Sequence, residues 1–232
     1  MGLSADEVGI ILLSLKVALV SVAFSLPVAI GVAYVLARFE FPGKTLLDAV
    51  VHLPLVLPPV VVGFALLVLF GRRGPIGAWL ENWLGIVFAF RWTGAALAAA
   101  IMGFPLMVRA IRLSFSAIDQ RLETVARTLG GSRTWVFLSV TLPLALPGVV
   151  TGIVLSFARS LGEFGATITF VANIPGETQT LPLAIYTYTQ TPSGDAQALR
   201  LSVIAIILSL VALVAAEWIA RRKTTVARRP RS

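Results

Sequence analysis

The chain of 232 residues is 57% hydrophobic and 13% charged, with a mean hydropathy of +0.91 and a net charge of +8. So little polar surface excludes a water-soluble monomer and points to a membrane protein. With no cysteine in the chain, disulfides, thiolate metal sites and cysteine nucleophiles are excluded as well.

A membrane-crossing helix needs about 20 mainly apolar residues to span roughly 30 Å of hydrocarbon. Five runs qualify, at residues 8–37, 46–70, 92–108, 136–161 and 199–220. They predict an all-α, polytopic membrane protein of about five crossings, forming one domain over residues 1–232. Met1-Gly-Leu-Ser-Ala-Asp6-Glu7 lacks the basic region of a secretory signal, so the first run is expected to be retained. Its 30 residues would reach about 45 Å as a helix. It must therefore tilt, kink at Pro27 or protrude, and Lys16 near its outer end is expected to snorkel to the headgroups.

The second run holds Pro54, Pro58 and Pro59. Each removes a backbone donor and bends its helix, and three within six residues suggest a wall of a transport pathway. Gly43-Lys44-Thr45 is not a phosphate-binding loop, because position 38 is Arg where that motif needs its first Gly. His52 is the single histidine and has no cysteine near it, so it reads as a packed residue and not a metal ligand. Residues 74–90 carry Trp79, Trp83 and Phe90 around Glu81 and Asn82, which suits an amphipathic helix on the outer surface.

The third run is followed by a polar, basic loop at about 117–133, containing Asp119-Gln-Arg-Leu-Glu123-Thr-Val-Ala126-Arg-Thr-Leu-Gly130. Asp119 can cap a short helix and Gly130 can end it in the left-handed conformation. In the fourth run Gly148 and Gly152 lie one turn apart, a face for close helix packing first and for a dimer contact second. At its outer end Ser160, Thr167 and Thr169 supply hydroxyls. Arg159 and Glu163 are four apart and are expected to pair. Residues 165–190, broken by Pro175-Gly176 and Pro182, read as an external loop with a re-entrant or surface helix.

Thirteen of the nineteen Lys and Arg fall in three alternate connections: Arg38 with Lys44, Arg109 to Arg133, and Arg221 to Arg231. Basic loops stay cytoplasmic, which places the N-terminus outside and the basic tail 221–232 inside. No aromatic residues interleave with that tail, so nucleic-acid binding has no support. Nor do a Ser-His-Asp arrangement or paired carboxylates appear, so no enzyme chemistry is expected.

The loop after the third run resembles the cytoplasmic coupling loop of ABC importer permeases, with Gly130, Val140, Leu142 and Pro143 in register and Ala126 at the second alanine position. His52-Leu-Pro-Leu-Val-Leu-Pro-Pro59, Phe104-Pro-Leu-Met-Val-Arg-Ala-Ile-Arg112 and Phe157-Ala-Arg-Ser-Leu-Gly-Glu-Phe-Gly-Ala-Thr-Ile-Thr169 carry the likeness into both flanks. With Phe41-Pro-Gly-Lys44 it extends from about Leu12 to Arg222. The chain is thereby identified as a member of the molybdate-importer permease family, with a type I importer fold.

The resemblance implies a translocating subunit in the cell inner membrane that binds no cofactor itself. A second copy of the chain would face it across the pathway. Two ATPase subunits, which hold the ATP and magnesium, would dock below, and a periplasmic or extracellular oxyanion-binding protein above. It also implies a coupling helix carrying Asp119, Arg121, Glu123, Thr124, Ala126, Arg127, Thr128, Leu129 and Gly130. Its acid stands seven residues before Gly130 where the family pattern has six, at Thr124. One residue turns a helical side chain by about 100°, so Glu123 is expected to face elsewhere than the usual contact. Pathway candidates are Pro54, Pro58, Pro59, Ser160, Glu163, Thr167 and Thr169. The alternatives are a tungstate or sulfate/thiosulfate permease, and in other classes a secondary transporter or a membrane anchor. Inverted repeats and buried coupling-ion ligands, which a secondary transporter needs, are not seen in the sequence.

Overall fold

The computed structural model describes residues 3–227, with side chains up to Val214. The basic charges of the tail and Glu217 therefore lie outside the described side chains. Helix α1 (Ala5–Arg38) opens on a reciprocal cap, in which the Glu7 N–H donates to Ser4 Oγ at 3.2 Å and the Ser4 N–H to Glu7 Oε2 at 2.8 Å. Pro27 lies inside it without interrupting the helix. Lys16 is exposed, and its Nζ sits 3.6 Å from the centre of the Trp92 ring, an aromatic face at the start of the third apolar run.

The expected single crossing at 46–70 is two helices. Helix α2 (Lys44–Val56) and α3 (Pro59–Phe70) meet at 113°. The reason is local. A residue before proline is pushed out of the helical region. Both Leu57 (φ −72°, ψ 142°) and Pro58 (φ −55°, ψ 133°) precede a proline and are extended. Pro54, by contrast, stays within α2. Helix α4 (Pro75–Leu84) then presents Trp79 and Trp83 outward, and Gly85, at φ +65°, ends it.

Helix α5 (Trp92–Ala117) runs nine residues past the expected end at Val108. Hydropathy falls at Arg109 and Arg112, yet Met107, Val108, Ile111 and Phe115 remain fully buried. Arg112 is also held, its Nη1 2.7 Å from Asp48 Oδ1 on α2. After the short α6 (Gln120–Thr128) the chain re-enters through α7 (Arg133–Val136), a π-helical turn at Phe137–Thr141, and α8 (Leu142–Leu161). Pro143 has no N–H to return to the preceding turn, and the helix widens immediately before it.

Residues 165–190 fold as two short helices, α9 (Gly165–Val171) and α10 (Leu181–Thr189), around an irregular stretch at the same end as the start of α1: the Leu181 N–H donates to Ser14 Oγ at 2.7 Å. Helix α11 (Asp195–Ala227) starts beside α1, where Arg200 lies 2.8 Å from Glu7. First and last helices thus run the same way, as an odd number of crossings requires. Among the described residues four helices are long and apolar enough to cross a membrane, or five if the bent pair α2–α3 counts as one span.

Helix α5 is the central post, with α1 and α8 packed along it. Its small residues Gly94, Ala95, Ala98 and Ala99 bring neighbours close at one end, where Val17, Val62, Leu66, Ala166 and Phe170 gather. At the other end Leu36, Met107, Ile111, Phe115 and Ala145 form a second cluster. The paired glycines of α8 serve this packing. A Cβ on Gly148 would collide with Ser114, and one on Gly152 would sit 3.0 Å from the Met107 carbonyl. Their face is the α5 contact within the subunit.

Candidate functional site

Two places combine polar chemistry with open surface. The first is α6, at the end of the molecule where α1 finishes. Asp119 caps it, with Oδ1 accepting the Arg121 N–H at 2.9 Å. Gly130 at φ +92° closes it, and the Gly131 N–H donates to the Ala126 carbonyl at 3.1 Å.

Glu123 points inward. Its Oε1 lies 2.8 Å from Arg38 Nη2, at the end of α1, and accepts the Thr141 hydroxyl at 3.0 Å from the π-helical turn. The Arg38 and Glu123 side chains are only 7% and 10% exposed, and Arg38 also reaches the Ile118 carbonyl at 3.4 Å. A buried pair of this kind is costly to break from one side, because the survivor is stranded without water. One turn of the short helix is thereby tied at once to the first crossing and to the root of the fourth. Glu123, one residue out of the family register, thus faces the body of the subunit. Nothing in the sequence signals the tie, since Arg38 and Glu123 are 85 residues apart.

The opposite face of α6 is open. Leu122, Val125 and Leu129 stand exposed, Leu129 at 83%, and Trp135 and Leu138 extend the apolar surface beyond the turn. Arg121, Thr124, Arg127 and Thr128 are exposed among them and Ala126 is half-buried. Apolar side chains ringed by arginines are the composition of an interface and not of a solvated helix.

The second place is where two helix breaks meet. Gly165 opens α9 against the α2–α3 bend, so close that a Cβ there would lie 2.8 Å from Pro59 Cβ, and one on Gly63 would lie 2.5 Å from the Ala166 carbonyl oxygen. Pro59 therefore packs against Gly165, and one turn on Gly63 packs against Thr169, while Pro58 stays exposed at the bend and Pro54 half-buried in α2. Ser160 and Thr167 turn into the body of the subunit. Ser160 Oγ lies 3.0 Å from Ser21 Oγ on α1, and Thr167 is 2% exposed. Thr169 donates to the Gly165 carbonyl at 2.8 Å. Arg159 and Glu163 do pair, Nη1 to Oε2 at 2.6 Å, while Glu163 Oε1 accepts the Ala166 N–H at 2.8 Å. His52 Nδ1 lies 2.8 Å from the Asp48 carbonyl oxygen, a packed residue on α2.

Comparison with known proteins agrees with this architecture. Residues 25–225 match the family of binding-protein-dependent transport system inner membrane components. The molybdenum transport system permease protein ModB of Escherichia coli K12 is 62% identical over 211 residues, covering 91% of this chain and 92% of that one. ModB of Haemophilus influenzae is 58% identical, covering 93% of this chain and 94% of that one. The E. coli sulfate transport system permease protein CysT is 41% identical over 66% of this chain and 55% of its own length.

Among solved structures, a bacterial ABC transporter that imports the acidic polysaccharide alginate superposes with a TM-score of 0.74 at 18% identity, covering 95% of this chain and 80% of that one. The methionine transporter MetNI in an inward-facing form gives 0.71 at 16% identity, covering 95% and 99%. At such identities the structures speak for the type I importer permease fold alone. The family match over residues 25–225, together with the two ModB relatives, establishes that the chain belongs to the binding-protein-dependent transport system inner membrane components.

Proposed function

We propose that this chain is the membrane-spanning permease of a molybdate ABC importer, working as two copies around a central pathway. A separate ATPase subunit seats on α6, and a binding protein outside delivers the oxyanion to the end that holds α4 and residues 165–190. The N-terminus lies outside and the C-terminus in the cytoplasm. The observation that carries this reading is the two-faced helix α6: an open apolar face of Leu122, Val125 and Leu129, and an inner face locked by Glu123 to α1 and to the π-helical turn that leads into α8. A push on its open face moves α1 and α8 as one, because a sealed ion pair resists being pulled apart and packed interiors transmit strain. The cargo assignment rests on 62% identity over 91% of the chain to a molybdenum permease, against 41% over 66% to a sulfate permease.

The test is ATP hydrolysis by the reconstituted complex with its matching binding protein. Molybdate should stimulate hydrolysis, with tungstate as its near analogue, and sulfate should not. Stimulation by sulfate but not molybdate would reassign the cargo. Deletion of residues 123–129 should abolish transport, whereas a mere membrane anchor would keep its partner and its role.

A further inference from the structure

The ion pair between Arg159 and Glu163 differs in setting from the chain's other buried carboxylates. Ser156, three residues before Arg159, packs against Gly103. On α5 Gly103 lies twelve residues from Arg91 and six from Arg109, with no charge between them. Arg159 is thus well inside the uncharged slab, and its neighbour Ser160 touches Ser21 in the interior of α1. An ionisable residue at such depth is retained only for a function or a partner.

Glu163 is buried, its side chain 1% exposed, with Oε2 in the ion pair to Arg159 and Oε1 accepting the N–H of Ala166 in the first turn of α9. Arg159 is not. Its side chain is 27% exposed, and Nη1 to Glu163 is its one polar contact among the described residues. A guanidinium carries five N–H donors in a planar fork suited to oxyanions. Leu144, Thr151 and Leu155 form an exposed stripe along α8, with Arg159 on its flank. Among the described residues these positions stay open to the surface, as the wall of a pathway shared by the two proposed copies must.

We propose that Arg159 is the residue that contacts the oxyanion in the conduit, with Glu163 holding the charge balanced when the conduit is empty. This rests on the proposed importer function and specifies how its pathway selects an anion. A balanced pair attracts a dianion through the free donors without the field of a bare cation, so the ion is bound and still released.

The chain's lack of cysteine gives a direct test. In the reconstituted complex, Arg159→Cys is combined with Glu163→Gln, which removes the stranded acid and keeps an acceptor for Ala166. Molybdate uptake should fall by about tenfold or more, the size of a lost charge-assisted hydrogen bond. Aminoethyl methanethiosulfonate, which restores a cation, should recover uptake. The anionic sulfonatoethyl reagent should not, and molybdate should slow its reaction. Glu163→Gln alone should lower KM and kcat together, as an uncompensated cation holds the ion longer. Unchanged uptake in the double variant, failure of both reagents to reach position 159, or equal effects of the two reagents overturns the assignment. The wild-type complex run alongside separates the claims: if it does not take up molybdate the importer reading itself fails, whereas normal wild-type uptake with an indifferent variant removes only the role of Arg159.

Discussion

Two of the arginine–glutamate pairs among the described residues are of opposite character. Arg38–Glu123 joins residues far apart in sequence, is sealed from solvent on both sides, and takes a further hydrogen bond from Thr141. Arg159–Glu163 joins neighbours on one stretch of chain and leaves its arginine partly open. The same two side chains therefore do different work. Where both partners are buried and belong to different elements, the pair is a mechanical tie. Where one partner faces an uncovered stripe, the pair is a charge held ready for an ion.

The comparison breaks most visibly at the tie. Arg38→Met strands Glu123 and should destabilise the detergent-solubilised protein by about 3–5 kcal/mol, read as a lowered thermal midpoint, with transport lost. Arg38→Met combined with Glu123→Leu should recover most of that stability but not transport, because the apolar pair packs without fixing α6 to Thr141. Next in size is the α5–α8 seam. Gly148→Val places a branched side chain against Ser114 and should cost about 1–3 kcal/mol by overpacking, measured by the same unfolding assay.

The open face of α6 should respond in the reverse manner. Leu129→Asp, at a position 83% exposed, should shift stability by less than about 0.5 kcal/mol. It should nevertheless weaken ATPase binding by about tenfold, the effect of losing a hot-spot contact of 1–2 kcal/mol. Titration of the ATPase against the purified permease reads this. The smallest effect is at Lys16. Lys16→Gln removes a cation from the Trp92 face, worth about 0.5–1 kcal/mol at an exposed site, and should lower the thermal midpoint slightly without touching uptake.

Hydropathy finds the long apolar helices because lipid leaves a helix no other way to satisfy its backbone. It misjudged ends where burial inside the protein replaces lipid: α5 continues through Arg109 and Arg112 because Asp48 and the apolar residues around Ile111 receive that turn. Proline content signalled a disturbance in the second crossing. Its form, a sharp bend between Val56 and Pro59, follows only from two successive residues each preceding a proline. At the site, the cap and the closing glycine of α6 were readable from Asp119 and Gly130, since both act within a few residues. The direction of Glu123 was readable only as a departure from the family register. Its partners Arg38 and Thr141 were not, because contacts between distant segments leave no local pattern. Ser160 and Thr167 illustrate the same limit: hydroxyls near a helix end suit a pathway, yet packing turns these two inward.

The central claim is that the exposed face of α6 is where an ATPase pushes from the cytoplasm. In the cysteine-free background a single Leu129→Cys, probed with a membrane-impermeant thiol reagent, tests it directly. The residue should resist labelling in intact cells, label readily once the cytoplasmic face is opened, and become protected again when the ATPase subunit is bound. Labelling from outside intact cells, or labelling unaffected by the ATPase, would contradict it.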